Sequence, residues 1–288
     1  MSLETVGVLG IGEMGTAVAK LLHHNGVRVV TTLEGRSDKT KANAVKAGVE
    51  DLGSLEEVVR ASDLVLSMLS SNAAPGVAHQ VGEAAKSVGA HPMFGEFNAV
   101  APGTVQAIEA DIGDNMDVVD GGIVGGPGNL SAATFYLSGP RASEVAVMSE
   151  FGFNTRVLGD VVGQASGMKL CYAGMTKGLS TMALDLLLAA TALGVEETVL
   201  EQYKRSMSGV LQFVDRFVPG NPKRAIRRAE EMPEVAKMMD SLGFSGSIHR
   251  GAYERMKWLG ELGLDTDGAA DAAEVAKLVI DATESRIR

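Results

Sequence analysis

The chain is nearly free of cysteine, and that absence excludes much. A single thiol, Cys171, leaves no disulfide framework and no cysteine metal cluster. The five histidines, His23, His24, His79, His91 and His249, lack ligand spacing, so no metal site is expected. Aromatic residues make up only 5% of the sequence. Positive charge is also scarce: the net charge is −10 and the pI is about 5.1. That balance argues against nucleic acid and anionic membranes as partners. The longest apolar run is interrupted by Asp185 and Thr191, short of the ~18 uncharged residues a bilayer span needs. No basic segment followed by an apolar run opens the chain, so a soluble, cytoplasmic protein is expected. Repeats and low-complexity segments are missing too. What remains is 288 residues, 45% hydrophobic, enough for two domains or one large one.

Glycine is plentiful, at 35 residues, and its placement is informative. Val6–Gly10 reads as a short buried strand. Gly10-Ile11-Gly12-Glu13-Met14-Gly15 follows at once, and Thr16 to Asn25 then carries helical apolar spacing before Gly26. Val27–Leu33 is a second β-rich run. This is the strand, GxGxxG, helix, strand context of a dinucleotide site. Gly10 allows the tight turn, Gly12 lets the backbone approach a pyrophosphate, and Gly15 lets helix pack on strand. The helix N-terminus then faces the phosphates.

The end of the second run bears on which dinucleotide binds. Glu34 is a candidate for ribose hydroxyls, as in NAD sites. Arg36 and Ser37 are candidates for a 2′-phosphate, since Arg binds phosphate bidentately and Ser adds a hydrogen bond. The local chemistry favours NADP over NAD; the bland alternative for Arg36 is a solvated loop arginine.

Further along, a helix is expected near Ser37–Ala47, a short strand at Val49–Leu52, and a helix from Ser54 to Ala61 opened by the pair Ser54 and Glu57. Asp63–Leu69 and Met93–Phe97 read as strands. Loops at strand C-terminal ends line the ligand crevice of a parallel sheet, so Leu69 and Ser70 should border the nucleotide. Asn98 should lie near the nicotinamide, unless it is simply a turn residue before Pro102. Asp117–Asp120 leads into a glycine-rich loop, Gly121 to Asn129. Its backbone N–H groups, those of Gly125 and Gly126 among them, could receive an anionic substrate.

Gly163 to Leu193 reads as one helix of roughly 45 Å. Met182 to Leu193 is apolar on nearly every side, which predicts burial all round. The first half instead carries a polar stripe of Lys169, Ala173, Thr176 and Ser180, with Lys177 beside it. Lys169 is the candidate acid/base; the alternative is a lysine that snorkels to water. Thr176 and Lys177 are candidates to contact substrate, Lys177 alternatively being an interface lysine. Beyond Gly194 the chain reads as helical: Glu196–Val218, a helix opened by Asn221 and Pro222, one near Ile248–Leu262, and a last one over Asp267–Ile287. Arg224, Arg227 and Arg228 could clamp an anion, although a solvated salt-bridged surface is the commoner outcome.

These segments together resemble the β-hydroxyacid dehydrogenase superfamily, which includes 6-phosphogluconate and 3-hydroxyisobutyrate dehydrogenases. VLGIGEMGTAVAKLL is similar to its GxGxMGxxxAxxL opening. Glu96 to Pro102 is similar to its D-x-[SN]-[ST]-x-[SA]-P segment, Asp120 to Gly126 to its substrate loop, and Gly163 to Lys169 to its G-x-x-G-x-x-x-K run. The resemblance implies an N-terminal Rossmann dinucleotide-binding domain (residues 1–162). A long helix joins it to an all-helical substrate and dimerisation domain (residues 163–288), an α/β architecture overall. It implies Lys169 as the catalytic lysine, a small and usually anionic hydroxyacid substrate, and a homodimer or higher homo-oligomer. Two family residues are absent: the loop serine falls on Val124 and the lysine's asparagine partner on Ala173. The NAD-type aspartate position falls on Leu33, and Gly35-Arg36-Ser37 is similar to the NADP-type turn. The expected activity is NADP-dependent hydride transfer to or from a hydroxyacid or its carbonyl partner. The competing readings are an imine reductase and an NADP-binding sensor or scaffold without catalysis.

Overall fold

The computed structural model describes the backbone of residues 3–287 and side chains as far as residue 283. The N-terminal part alternates strand and helix: β1 (Thr5–Leu9), α1 (Glu13–His24), β2 (Arg28–Thr31), α2 (Asp38–Ala47), β3 (Glu50–Asp51), α3 (Leu55–Ala61), β4 (Leu64–Ser67), α4 (Ala74–Val88), β5 (Met93–Glu96), α5 (Pro102–Ile112) and β6 (Val118–Val124). β7 (Thr134–Ser138), the short α6 (Ala142–Val145) and β8 (Asn154–Gly159) complete it. The remainder is helical: α7 (Gln164–Ala192), α8 (Glu196–Ser206), α9 (Ser208–Phe217), α10 (Asn221–Ala229), α11 (Glu231–Ser241), α12 (Ser247–Glu261) and α13 (Ala272–Ile287).

The strands form one sheet in the order β3-β2-β1-β4-β5-β6-β7-β8. All neighbours pair in parallel except β6 and β7. Parallel strands are covered on both sides by crossover helices, so their sequences run apolar without alternation. β4 (LVLS) is buried at every position. One core layer gathers Val6, Val8, Val18, Leu22 and Phe135; the other gathers Leu9, Val65, Val81, Phe94 and Ile108. The order reverses between β1 and β4, and a sheet of this kind opens its ligand crevice at such a point. An N-terminal Rossmann domain followed by a helical region is therefore the architecture found.

Helix starts follow local chemistry. Ser37 caps α2 by accepting from the Thr40 N–H at 3.3 Å, and Ser54 caps α3 by accepting from the Glu57 N–H at 3.2 Å. Several expected bounds move. The run Glu196–Val218 breaks at Met207, whose backbone (φ −150°, ψ 45°) leaves the helical region. The next expected helix is two, α10 and α11, meeting at Glu230. Asn221 does not cap α10 but lies buried at its start, donating to Ser180 Oγ at 3.1 Å.

The chain divides into two compact units, Met1–Leu170 and Cys171–Arg288, and the division falls inside α7 rather than at its start. In the helical unit Leu184, Leu187, Val214, Val218, Leu259 and Val275 form the core. Burial all round is not found for the second half of α7. Met182, Leu186 and Leu193 are 55%, 52% and 76% exposed, because the core takes up only the Leu184 and Leu187 side.

Candidate active site

The fingerprint glycines can be tested by the space around each. Gly10 has φ +95°, and a side chain there would run into the Met68 carbonyl. A Cβ on Gly15 would overlap the Gly10 carbonyl, so the first turn of α1 sits directly on the β1 turn. Gly12, the N-cap of α1, has nothing within 4 Å of the same position. Turn, open approach and close packing are thus divided among the three as a bound pyrophosphate requires. Ile11 is buried, Glu13 is exposed on the first turn and Met14 is half-buried. Asn43 from α2 donates to the Ile11 carbonyl at 3.1 Å and ties the loop down. These residues fit a dinucleotide whose phosphates face the N–H groups at the start of α1.

Arg36 is exposed at the start of α2, after Gly35 in the left-handed region (φ +66°). Ser37 lies beside it with its hydroxyl on the Thr40 N–H. Both stand at a helix N-terminus, which favours an anion.

Leu69 and Ser70 follow β4, and the Leu69 side chain lies against the Gly10 turn. Asn98 is held by the strand ends around it. It is 2% exposed, its Oδ1 accepts from the Leu69 N–H, and its Nδ2 donates to Ser67 Oγ at 2.7 Å. Its amide ties the end of β4 to the loop that follows it.

Four buried polar residues share one register row across the sheet: Ser67, Glu96, Asp120 and Ser138, each 0% exposed. Glu96 Oε1 accepts from the Asn98 N–H at 2.9 Å, while Oε2 has no hydrogen-bond partner. Burial first, with the neighbouring Asp120 charge adding to it, pushes the Glu96 carboxyl up to about 7. Asp120 is fully engaged. Its Oδ2 accepts from Ser138 Oγ at 3.0 Å, the Gly163 N–H at 3.0 Å and the Ser166 N–H at 2.9 Å, and its Oδ1 accepts from Ser166 Oγ. Composition does not single these residues out; a polar residue closing each of several apolar strands is the signal that could have.

Lys169 is half-buried on the second turn of α7. A Cβ placed on Gly122 would lie 3.1 Å from the Lys169 Cβ and would overlap the Ala165 carbonyl. The same stretch packs on Pro102, 3.1 Å from a Cβ placed on Gly163. Three segments distant in sequence, Glu96–Pro102, Asp120–Gly122 and Gly163–Lys169, are thus brought together within the nucleotide-binding unit. Gly121 and Gly122 are not loop residues as expected. They lie inside β6, where the Phe97 ring and the start of α7 occupy the space of their missing side chains. The loop proper begins at Gly125 (φ +141°), followed by exposed Gly126.

In the helical unit Lys177 is ion-paired with Glu231, and the Thr176 hydroxyl donates to the Tyr172 carbonyl at 2.9 Å. A substrate anion there would have to displace those partners. Arg224 forms a two-point ion pair with Asp267 (2.7 and 3.2 Å), as a salt-bridged surface does. Arg228 turns inward to Asn221, and burial, then repulsion from Arg224 and Arg227, lowers its pKa. Among the described residues no cluster of His, Cys, Asp and Glu could hold a metal ion, and no helix is long and apolar enough to cross a membrane.

Comparison with known proteins agrees with the fold and with a dinucleotide-binding N-terminal domain. Residues 5–151 match the family model described as the NAD binding domain of 6-phosphogluconate dehydrogenase, and residues 190–259 match a domain of unknown function, DUF1932. An uncharacterized 28.5 kDa protein of Methanothermus fervidus is 30% identical over 237 residues, 81% of this chain and 90% of its own. A conserved protein of unknown function, MTH1747, whose structure is described as similar to 3-hydroxyacid dehydrogenases, aligns at TM-score 0.73 and 29% identity, over 88% of this chain and 97% of its own. The 3-hydroxyisobutyrate dehydrogenase of Mycobacterium tuberculosis, solved with L-serine, shares the fold at TM-score 0.73 and 16% identity, over 96% and 99%.

Proposed function

The chain belongs to the family defined by the NAD binding domain of 6-phosphogluconate dehydrogenase, and from that premise we propose that it is an NADP-dependent oxidoreductase of a small anionic hydroxyacid or its carbonyl partner. The observation that carries this reading is the meeting, within one unit, of an open Gly12 approach at the β1–β4 switch and a lysine packed on β6. When bound, the nicotinamide supplies the hydride acceptor or donor at C4. In the oxidative direction the Lys169 Nζ, as neutral amine, takes the substrate hydroxyl proton while the carbinol carbon gives up its hydride and becomes a carbonyl carbon. In reduction the Lys169 ammonium returns that proton to the carbonyl oxygen. The backbone N–H groups at Gly125 and Gly126 receive the substrate's anionic end. Arg36 and the start of α2 hold the 2′-phosphate, which favours NADP over NAD.

The chain acts as a homodimer or higher homo-oligomer. Support comes from Met175, Met182, Leu186 and Leu193, all more than half exposed along α7. Nucleotide binding and the Gly125–Gly126 substrate contact fall before α7, while α7 and the helices after it supply Lys169 and the oligomer contacts.

The test is a panel of hydroxyacids including 3-hydroxyisobutyrate and L-serine, semialdehydes and cyclic imines, each with NADP and NAD. Turnover of an acid or semialdehyde with NADP preferred is expected. Turnover of imines alone favours an imine reductase, and NADP binding without any turnover favours a sensor. Preference for NAD overturns the role of Arg36 and Ser37.

A further inference from the structure

We propose that Asp120 is a positioning residue: its carboxylate grips the start of α7 on the sheet and, with Gly122 setting the separation, holds Lys169 where proton transfer requires it. The proposal rests on the assignment of Lys169 as the acid/base.

The argument begins with the helix end. The first N–H groups of a helix have no partner within it. At the start of α7 the sheet supplies them. Asp120 accepts from the N–H groups of Gly163 and Ser166, and Ser138 Oγ accepts from the Ala165 N–H at 3.0 Å while donating to Asp120. The Ser166 hydroxyl adds a further bond to Asp120. A carboxylate here also faces the positive end of the helix dipole.

Of the two register neighbours, Asp120 is the one whose surroundings suit a carboxylate. Two adjacent buried carboxyls do not both ionise readily. Asp120 has four donors, whereas Glu96 leaves one oxygen bare. A charged acceptor makes each of these bonds stronger than a neutral one would.

Ser166 and Lys169 are three residues apart, so they leave the same side of the helix. The grip thus acts one turn from the amine's own backbone. Gly122 sets how closely that turn approaches, because β6 backbone and Lys169 Cβ meet where a side chain would otherwise stand. A misplacement of about 1 Å can cost ~100-fold in rate. A grip of this kind therefore registers in kcat before it registers in binding.

The experiment uses the full chain with Asp120→Asn, Ser166→Ala, Gly122→Ala and Lys169→Ala. The readouts are kcat and KM for the fastest panel substrate, the Kd for NADP, and amide hydrogen exchange over residues 163–170. Competitive acetylation of Lys169 by acetic anhydride, with exposed Lys46 as reference, reads the amine without any turnover. Asp120→Asn keeps the shape and removes the charge. It is expected to lower kcat about 10- to 100-fold with KM and Kd within about threefold, and to change Lys169 acetylation at least about threefold while Lys46 is unchanged. Ser166→Ala, which removes one hydroxyl only and guards against a misfolded Gly122→Ala, should lower kcat about 3- to 10-fold. Wild-type kcat and wild-type Lys169 acetylation in both Asp120→Asn and Ser166→Ala overturn the proposal, as does a parallel loss of kcat, KM and NADP binding. If Lys169→Ala abolishes turnover while those variants stay active, only the positioning role falls. If Lys169→Ala retains turnover, the acid/base assignment falls and the positioning role with it.

Discussion

The two units treat buried polar groups differently. In the nucleotide-binding unit a row of four such residues crosses the sheet, and nearly every atom in it is bonded; Glu96 Oε2 is the exception. In the helical unit Asn221, Ser180 and Thr266 are paired, but the hydroxyl of Thr181, 5% exposed, and the Nδ1 of His249 are buried without partners. Both line a largely apolar groove of about 600 Å³ between α7, α11 and α12, whose lining also includes the ion pair of Asp185 and Arg255. Burial lowers the pKa of His249, which disfavours the charged ring there. The contrast extends to apolar surface. The central strands are buried on both sides, whereas α7 leaves Met175, Met182 and Leu186 open beyond Leu170. A sheet strings its polar groups along a shared register, so one residue's bonds serve the next. Helices satisfy their own backbones and leave side-chain hydroxyls to whatever packs nearby.

The contrast can be broken most severely at Gly15. Gly15→Ala forces a methyl into the Gly10 carbonyl. The expected loss is about 3 kcal/mol or more, with dinucleotide binding abolished, measurable by thermal unfolding and by nucleotide titration. An alanine tolerated there with full binding would mean that α1 does not sit on the β1 turn as described.

The next effect is at Glu96. The unfolded chain loses this proton near 4.5, whereas the folded chain keeps it to about 7. The folded state therefore binds more protons across that window, and stability falls as pH rises through it. Glu96→Gln should remove this fall and raise stability at pH 8 by on the order of 3 kcal/mol. Urea unfolding at about pH 5 and pH 8 reads the difference; an unchanged pH slope in the variant would show that Glu96 is not the proton-binding group.

The smallest of these effects sharpens the comparison from the helical side. Thr181→Val replaces an unpartnered hydroxyl with a methyl of the same shape. It should stabilise the chain by about 1 kcal/mol, where removal of a hydroxyl from the paired row, Ser138→Ala, should destabilise it by a similar amount. Equal signs for the two would erase the distinction.

Some of this was legible from residue order because the constraint is local. A strand, three glycines and a helix start within ten residues dictate the Gly10–Gly15 turn without reference to the rest of the chain. Ser37 and Ser54 announce their helices by a bond three residues ahead. Where the constraint is long-range, the order misleads. Gly121 and Gly122 look like a loop, but Phe97, just past β5, and the start of α7 require bare backbone inside β6. Asn98 follows a strand end as a ligand contact would, and its bonds to Ser67 and Leu69, 31 and 29 positions away, leave no local mark. The grip of Asp120 depends on the register of β4 through β7 and on residues up to 46 positions away, which no local pattern encodes. The break at Met207 carries neither Gly nor Pro at the breaking residue, so helical spacing runs through it unmarked.

The account turns on Lys169 as the group that moves the substrate proton. Lys169→Ala, assayed by single-turnover hydride transfer beside NADP titration, tests it most directly. The prediction is a rate lowered about 10²- to 10⁴-fold with the NADP Kd within about twofold. Undiminished hydride transfer in that variant would contradict it.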